Sequence, residues 1–147
     1  MDDGRSIGHE IKTINNLMCR RFDRDWKRYM DEDITVMHTW ILIYIRERED
    51  EPTFQRDVEK EFKISRSTAT NILQLMEKKK LITRKIVPYD ERLKKLCLTE
   101  KGHHITEKMR QMTARSDQAL LDGIEPEKLA VFYDVLDQIR YNIETQM

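Results

Sequence analysis

Apolar residues recur at steps of three and four along nearly the whole chain, and this pattern stops only between Leu81 and Leu98. Such spacing gives a helix one apolar face, so most of the chain is expected to pack as amphipathic helices. The interruption is rich in β-branched residues and contains the turn signal PYDE at residues 88–91, which predicts a short hairpin. The predicted order is therefore α-α-α-α-β-β-α-α, a mainly helical fold with a small β wing.

Capping signals mark where the helices begin and end. The first helix is predicted over residues 7–29, and Thr35 is suited to cap the second, which cannot continue past Pro52. A short helix follows over residues 55–63, and Ser65 then caps a longer one that reaches about residue 79. The second helix is expected to bury six apolar residues: Val36, Met37, Trp40, Ile41, Tyr44 and Ile45.

The charge of the chain is zero overall but is unevenly distributed. Between Lys63 and Lys101 there are eleven basic and four acidic residues, so this segment carries +7 and the remainder carries −7. A basic segment on an otherwise balanced protein is typical of a protein that binds DNA. A solvated charged surface without a ligand is the alternative.

The short helix, the connection at residues 63–65 and the longer helix have the lengths of a helix-turn-helix. The second of these helices has an apolar face and an opposite face of small polar, amide and basic residues, with no acid before Glu77. Amides and arginine can read base edges in the major groove, while hydroxyls near a helix start suit phosphates. The predicted DNA-binding residues of this helix are Ser65, Arg66, Ser67, Thr68, Thr70, Asn71 and Gln74.

The hairpin that follows is also basic and completes a winged helix-turn-helix. Arg92 lies near its tip, where an arginine can enter a narrow minor groove, and Asp90 is close enough in sequence to orient it. The predicted DNA-binding residues of the wing are Arg84, Lys85, Asp90, Arg92 and Lys94. Double-stranded DNA is therefore the expected partner.

Signatures of other protein classes are missing from the sequence. The chain has no nucleophile-elbow, phosphate-loop or zinc-protease motif, so no enzymatic activity, metal or cofactor is predicted. Cys19 and Cys97 lie far apart, which fits reduced thiols in the cytoplasm. No apolar run could span a bilayer and the first residues do not resemble a secretion signal, so neither membrane contact nor export is expected. A winged helix that contacts only other proteins stays an alternative.

Four segments together resemble the MarR family of winged helix-turn-helix transcriptional regulators. They are Ile64–Asn71 (ISRSTATN), Met76–Lys85 (MEKKKLITRK), Asp90–Arg92 (DER) and Leu98–Gly102 (LTEKG). The flanking helices match the family in order and length, so the resemblance covers nearly the whole chain. It implies a homodimeric repressor or activator that small phenolic or other ligands, or oxidation, release from DNA.

Three positions depart from the family pattern. The family often has a small residue where Glu59 stands, and glycine where Lys63 and Lys80 stand. Those glycines often adopt a positive φ, which is unfavourable for a residue with a side chain. The substitutions are expected to be tolerated within the same fold.

The last helix carries a heptad seam formed by Leu129, Phe132, Leu136, Ile139 and Ile143. Together with the apolar stripe of the first helix, this seam exceeds what one small domain can cover, which favours a homodimer. The resemblance further implies that residues 1–33 and 103–147 form the dimerisation region and that residues 34–102 form the DNA-binding domain. A dimer with two-fold symmetry predicts an inverted-repeat operator whose half-sites lie about one helical turn, roughly 34 Å, apart.

Two further sets of residues suggest how such a regulator could be controlled. Aromatic residues gather near the junction of the first two helices, so a pocket for a small aromatic effector is one interpretation and ordinary core is the other. That pocket would be formed by Trp26, Met37, His38, Trp40 and Tyr44. Cys19 lies beside Arg20 and Arg21, which favours its thiolate, and a redox-sensing regulator is therefore a second alternative.

Overall fold

The computed structural model describes residues 4–31 and 33–146 and confirms the mainly helical fold with a two-stranded wing. The ends of the proposed dimerisation segments (residues 1–3 and 147) and Glu32 lie outside the described residues. The chain forms two compact units, Met1–Met112 and Thr113–Met147. The elements are α1 (Ile7–Tyr29), α2 (Val36–Glu47), α3 (Gln55–Phe62), α4 (Arg66–Lys78), β1 (Ile82–Val87), β2 (Asp90–Leu98), α5 (Glu100–Leu121) and α6 (Pro126–Thr145).

Side chains of the N-cap residues start α2 and α4. The Thr35 hydroxyl accepts a hydrogen bond from the His38 amide at 3.2 Å, and His38 Nδ1 accepts one from the Thr35 amide at 3.2 Å. At the start of α4, Ser65 Oγ accepts a hydrogen bond from the Thr68 amide at 3.1 Å. Both predicted caps are confirmed, and they fix the residues at which α2 and α4 begin.

The core of the first unit is a continuous apolar cluster between the helices and the base of the wing. Fully buried side chains come from α2 (Ile41 and Leu42), from α4 (Leu73 and Met76) and from α5 (Ile105). Because α4 buries one side in this cluster, its opposite side is held toward solvent. The core thereby sets the orientation of the helix that carries the predicted recognition residues.

The buried face of α2 agrees only in part with the expected one, since Ile41 and Ile45 are buried as predicted. Trp40 is 46% exposed, and Val36 and Met37 are also exposed, whereas His38 and Thr39 are buried. Apolar residues surround α2 almost completely, so their spacing could not select one side. The polar pair can be buried because its groups are bonded: Thr39 donates its hydroxyl to the Thr35 carbonyl at 3.3 Å, and His38 takes part in the cap.

The wing is an antiparallel hairpin that is anchored at its base. Its register pairs Ile82 with Leu98 and Lys85 with Lys95, and an irregularity falls between Ile86 and Val87. Near the base, the Leu96 amide donates to the carbonyl of Thr53 at 2.7 Å. The hairpin is thus joined by backbone bonding to the segment that precedes α3.

Two lysines adopt a left-handed backbone conformation, and both stand at positions where the MarR family often has glycine. Lys63, which ends α3, has φ 50°, and Lys80, which follows α4, has φ 58°. The expected positive φ is therefore confirmed at both positions. A residue with a Cβ is strained in this backbone region by about 1–2 kcal/mol relative to a right-handed conformation.

Replacing Lys63 with glycine should therefore stabilise the protein by about 0.5–1 kcal/mol, because relief of the left-handed strain exceeds the extra unfolded-state entropy of glycine. Urea denaturation monitored by circular dichroism would measure the change. Lys60, an exposed residue inside α3, is the matched control, and Lys60→Gly should lose about 1 kcal/mol. A loss of stability in Lys63→Gly would show that its backbone is not strained.

Candidate nucleic-acid interface

The solvent-facing side of α4 carries the residues that the sequence assigned to DNA recognition. Arg66, Ser67, Asn71 and Gln74 are exposed, while Ala69 on the opposite side is fully buried. A recess of about 620 Å³ on this side is lined by Ser65, Arg66, Ser67, Thr70 and Asn71. The structure therefore places these predicted residues together on one open surface.

Three hydroxyl groups cluster at the start of α4. Ser65 Oγ lies 3.0 Å from Ser67 Oγ and 2.8 Å from Thr68 Oγ1. All three residues are exposed. The positive end of a helix dipole and a group of hydroxyl donors both favour a bound anion such as a phosphate.

Asp90 holds the arginine near the wing tip in a defined orientation. Asp90 Oδ1 accepts hydrogen bonds from the Arg92 amide at 2.9 Å and from Arg92 Nε at 3.2 Å. These bonds hold the pKa of the Asp90 carboxyl below its usual range. The Arg92 side chain is nonetheless 91% exposed, so its charge is available to a ligand.

A basic cleft of about 420 Å³ lies between the helix-turn-helix and the wing. Its lining contains five basic residues and one acidic residue: Phe54, Gln55, Arg56, Glu59, Arg66, Thr70, Arg84, Arg92, Leu93 and Lys94. Lys85 is exposed on β1. The helix face and the wing thus border one continuous basic surface.

Sequence reasoning missed the contribution of α3 to this cleft. Gln55, Arg56 and Glu59 come from the start of that helix, and Gln55 Nε2 donates to Glu59 Oε1 at 3.0 Å. Their four-residue spacing was a visible sign that Gln55 and Glu59 share a helix face. Which face meets α4 depended on packing with that helix.

Two predicted DNA contacts already have partners within the protein. The Thr70 hydroxyl donates to the Arg66 carbonyl at 2.8 Å and accepts from Gln55 Nε2 at 2.8 Å. Arg84 Nε lies 3.0 Å from Glu77 Oε2, and its Nη1 donates to Gln55 Oε1 at 3.3 Å. Both residues border the cleft, but these polar atoms are bonded to other groups of the protein.

The residues proposed to line an aromatic pocket lie in different surroundings. Trp26 packs against Phe22 with ring centroids 5.6 Å apart, and Tyr44 meets Phe62 edge-on at 5.8 Å. Met37 and Trp40 are exposed, whereas His38 is buried. Burial, assisted by Lys79 and opposed by Asp33, lowers the pKa of His38, in keeping with a neutral ring whose Nδ1 accepts the cap hydrogen bond.

The two cysteines differ in exposure. Cys19 is an exposed residue of α1, and Cys97 is half-buried on β2. The position of Cys97 on β2 agrees with the hairpin predicted between Leu81 and Leu98. Within residues 4–31 and 33–146, no group of three potential metal-ligating side chains is present and no helix has the length and apolar character needed to cross a membrane.

Comparison with known proteins places this arrangement in a family. A model of the MarR family matches residues 32–93. The transcription regulator MarR from Oenococcus oeni PSU-1 is 34% identical, with 92% of this chain and 99% of that chain covered and a TM-score of 0.58. The chain belongs to the MarR family. The matched residues include the helix-turn-helix and the Asp90–Arg92 pair of the wing, so this MarR-family chain carries the family's winged-helix region.

Two further relatives extend the comparison. The structure of Staphylococcus aureus MepR in complex with DNA is 23% identical, covers 92% of this chain and 98% of that chain, and has a TM-score of 0.73. The uncharacterized HTH-type transcriptional regulator YdgJ from Bacillus subtilis (strain 168) is 28% identical over 89 residues. That match covers 60% of this chain and about half the length of the relative (54%).

Proposed function

We propose that this MarR-family chain is a sequence-specific DNA-binding repressor that acts in the cytoplasm as a homodimer. The observation that carries the proposal is the basic surface on which the exposed face of α4 and the oriented Arg92 of the wing lie beside the same cleft. A helix of this kind fits the major groove, and an exposed arginine on a hairpin fits the adjacent minor groove. MepR, which has the same fold, has been solved in complex with DNA.

Different parts of this surface would make different contacts. Ser65, Ser67 and Thr68 lie at the positive end of α4 and would bind phosphate, which positions the protein without reading sequence. Asn71 and Gln74 lie further along the exposed face, where their amides would pair with base edges. In the wing, Arg92 would enter the minor groove, and the remaining exposed lysines, Lys85 and Lys94, would contact phosphates.

Dimerisation is supported by apolar surface that the described part of the chain leaves uncovered. No residue of α1 or α6 is buried. On α6 the seam residues Phe132 and Ile143 are exposed, and on α1 the stripe residues Ile7, Ile11 and Ile14 are exposed. A second copy would cover such faces, with residues 1–33 and 103–147 forming the dimerisation region and residues 34–102 reading each half of an inverted repeat.

Release from DNA would be triggered by a small aromatic effector. Exposed Met37 and Trp40 near the start of α2 and half-buried Trp26 near the end of α1 offer apolar contact surface around the α1–α2 junction, whereas Tyr44 packs edge-on against Phe62 of α3. His38 would supply a polar group at that surface only if its cap to Thr35 opened. An effector that binds there would then change how α2 begins, which would alter the position of the helices that follow it.

The direct test is binding of Asn71→Ala and Gln74→Ala to a library of half-sites. Each variant should lose preference at particular base pairs, by about 5- to 150-fold per good contact. Ser67→Ala is the matched control on the same helix and should weaken binding to all sequences equally. Equal weakening in all three variants would refute base reading by α4. If the unmodified protein shows no salt-dependent binding to any duplex, the result would instead favour a winged helix that contacts only other proteins.

A further inference from the structure

The Gln55 side chain joins α3, α4 and the wing. Its amide nitrogen donates to Glu59 Oε1 at 3.0 Å and to Thr70 Oγ1 at 2.8 Å, and its amide oxygen accepts from Arg84 Nη1 at 3.3 Å. The same nitrogen lies 3.4 Å from the carbonyl oxygen of Arg66. An amide group has two N–H donors and one oxygen, so both ends of Gln55 are engaged.

Arg84 completes this network from the wing side. Its Nε lies 3.0 Å from Glu77 Oε2 on α4, and its side chain is 23% exposed, against 91% for Arg92. The guanidinium is therefore held between α4 and the start of α3, and its charge is offset by Glu77. A guanidinium can bridge two partners because its donors form a rigid planar fork.

We propose that Gln55 and Arg84 are positioning residues that fix the angle of the wing relative to α4, and that Arg84 does not itself bind a DNA phosphate. This inference rests on the proposed DNA-binding function. The sequence placed Arg84 among the residues that contact DNA, and this proposal gives it a positioning role instead. It also reassigns Thr70, whose hydroxyl is occupied by Gln55 and the Arg66 carbonyl, from reading bases to holding the network.

The geometry of the hairpin explains why such a tie matters. Arg84 lies four residues before the turn at Pro88, a distance of about 13 Å along a strand. A rotation of about 10° at Arg84 would therefore move the tip by about 2 Å, a third of the roughly 6 Å width of the minor groove. Small changes at the network would displace Arg92 from the groove while α4 stays in place.

The test compares Arg84 with Arg92 through the salt dependence of binding to an inverted-repeat duplex that the unmodified protein selects. Arg92→Ala should make the negative slope of log K against log salt less steep by about 0.9, as expected for one lost phosphate equivalent. Arg84→Lys keeps the charge but not the fork. Because Arg92 would then leave the groove, this variant should lose about tenfold in affinity and show a slope reduced as in Arg92→Ala. If Arg84 itself contacted a phosphate, lysine would largely preserve both the affinity and the slope.

The direction of the affinity change in Glu77→Ala is an independent test of the positioning role. Removing a negative charge near DNA should by itself raise affinity, but loss of the tie should lower it about threefold to tenfold. Gln55→Ala combined with Arg84→Lys should be no weaker than Arg84→Lys alone, because both remove the same connection. In the free protein, hydrogen exchange at the wing amides should be faster in Gln55→Ala and Arg84→Lys than in Arg92→Ala.

Three results would overturn the inference. They are tighter DNA binding by Glu77→Ala, unchanged DNA affinity in Arg84→Lys, and unchanged hydrogen exchange of the wing amides in both Gln55→Ala and Arg84→Lys. The exchange measurement needs no DNA, and thermal unfolding of each variant shows whether it is folded. A protein that binds no duplex in its unmodified form would refute the proposed function. A protein that binds normally but shows one of the three results would refute only the positioning role.

Discussion

Gly102→Ala is expected to destabilise the protein by about 2–3 kcal/mol, since a side chain here would overpack a site that cannot expand. Gly102 is buried at the start of α5. A Cβ at this position would overlap the backbone carbonyl oxygen of Leu81 and would lie 3.4 Å from Leu42 Cδ2. The Leu81 carbonyl is also held in place, because it accepts hydrogen bonds from the Thr99 amide at 3.1 Å and from the Thr99 hydroxyl at 3.0 Å.

Gly8→Ala is the matched control for this prediction. Gly8 lies in α1, and a Cβ there would meet nothing within 4 Å. Alanine favours a helix over glycine by up to about 1 kcal/mol, so this variant should be as stable as the parent or more stable. Urea denaturation of both variants measures the difference. Similar stabilities would show that the corner between β1 and α5 can move to admit a methyl group.

Phe132→Glu is expected to convert the protein to a monomer and to weaken binding to an inverted repeat by about 100-fold or more, because the two half-sites would no longer be bound together. Phe132 is 53% exposed in the heptad seam of α6. In the proposed dimer, a second copy would cover it, and an unpaired carboxylate buried there would be strongly unfavourable. Sedimentation and binding to whole and half operators measure the two effects.

The control for dimerisation is Asp134→Lys. Asp134 is exposed two residues beyond Phe132, about 200° round the helix and so away from the seam. This change alters charge by more than Phe132→Glu does, but the dimer should persist. Binding of Phe132→Glu to an isolated half-site should equal that of the parent. A variant that stays dimeric at micromolar concentration would show that the seam is not the interface.

Local sequence signals were sufficient to predict most individual elements of this fold. The limits of α1 were predicted to the residue, and the caps at Thr35 and Ser65 were predicted from residue type, because capping depends on atoms within four residues. The positive φ at Lys63 and Lys80 was predicted from the family pattern. The DNA-contact roles of the exposed α4 residues stay predictions.

The features that failed or were missed all depend on neighbours distant in sequence. Ile41 and Ile45 of α2 are buried as predicted, but the predicted burial of Val36, Met37 and Trp40 was wrong. Apolar residues surround that helix, so only packing in the core cluster selected which side is buried. The role of Gln55 was missed because its partner Arg84 lies 29 residues away. An isolated pattern of charges also could not distinguish Arg84, held by Glu77, from Arg92, which extends into solvent.

The sequence by itself therefore determined the order of the elements, the residues at which the helices begin, and which side of α4 carries the polar residues. These properties follow from backbone hydrogen bonding and hydrophobic periodicity, which act over one or two turns. The tertiary structure alone decided which side of α2 is buried, why Gly102 admits no side chain, and which basic residues of the wing are free to meet a ligand. Those properties depend on close packing and on hydrogen-bond partners that only the folded chain brings within 3–4 Å.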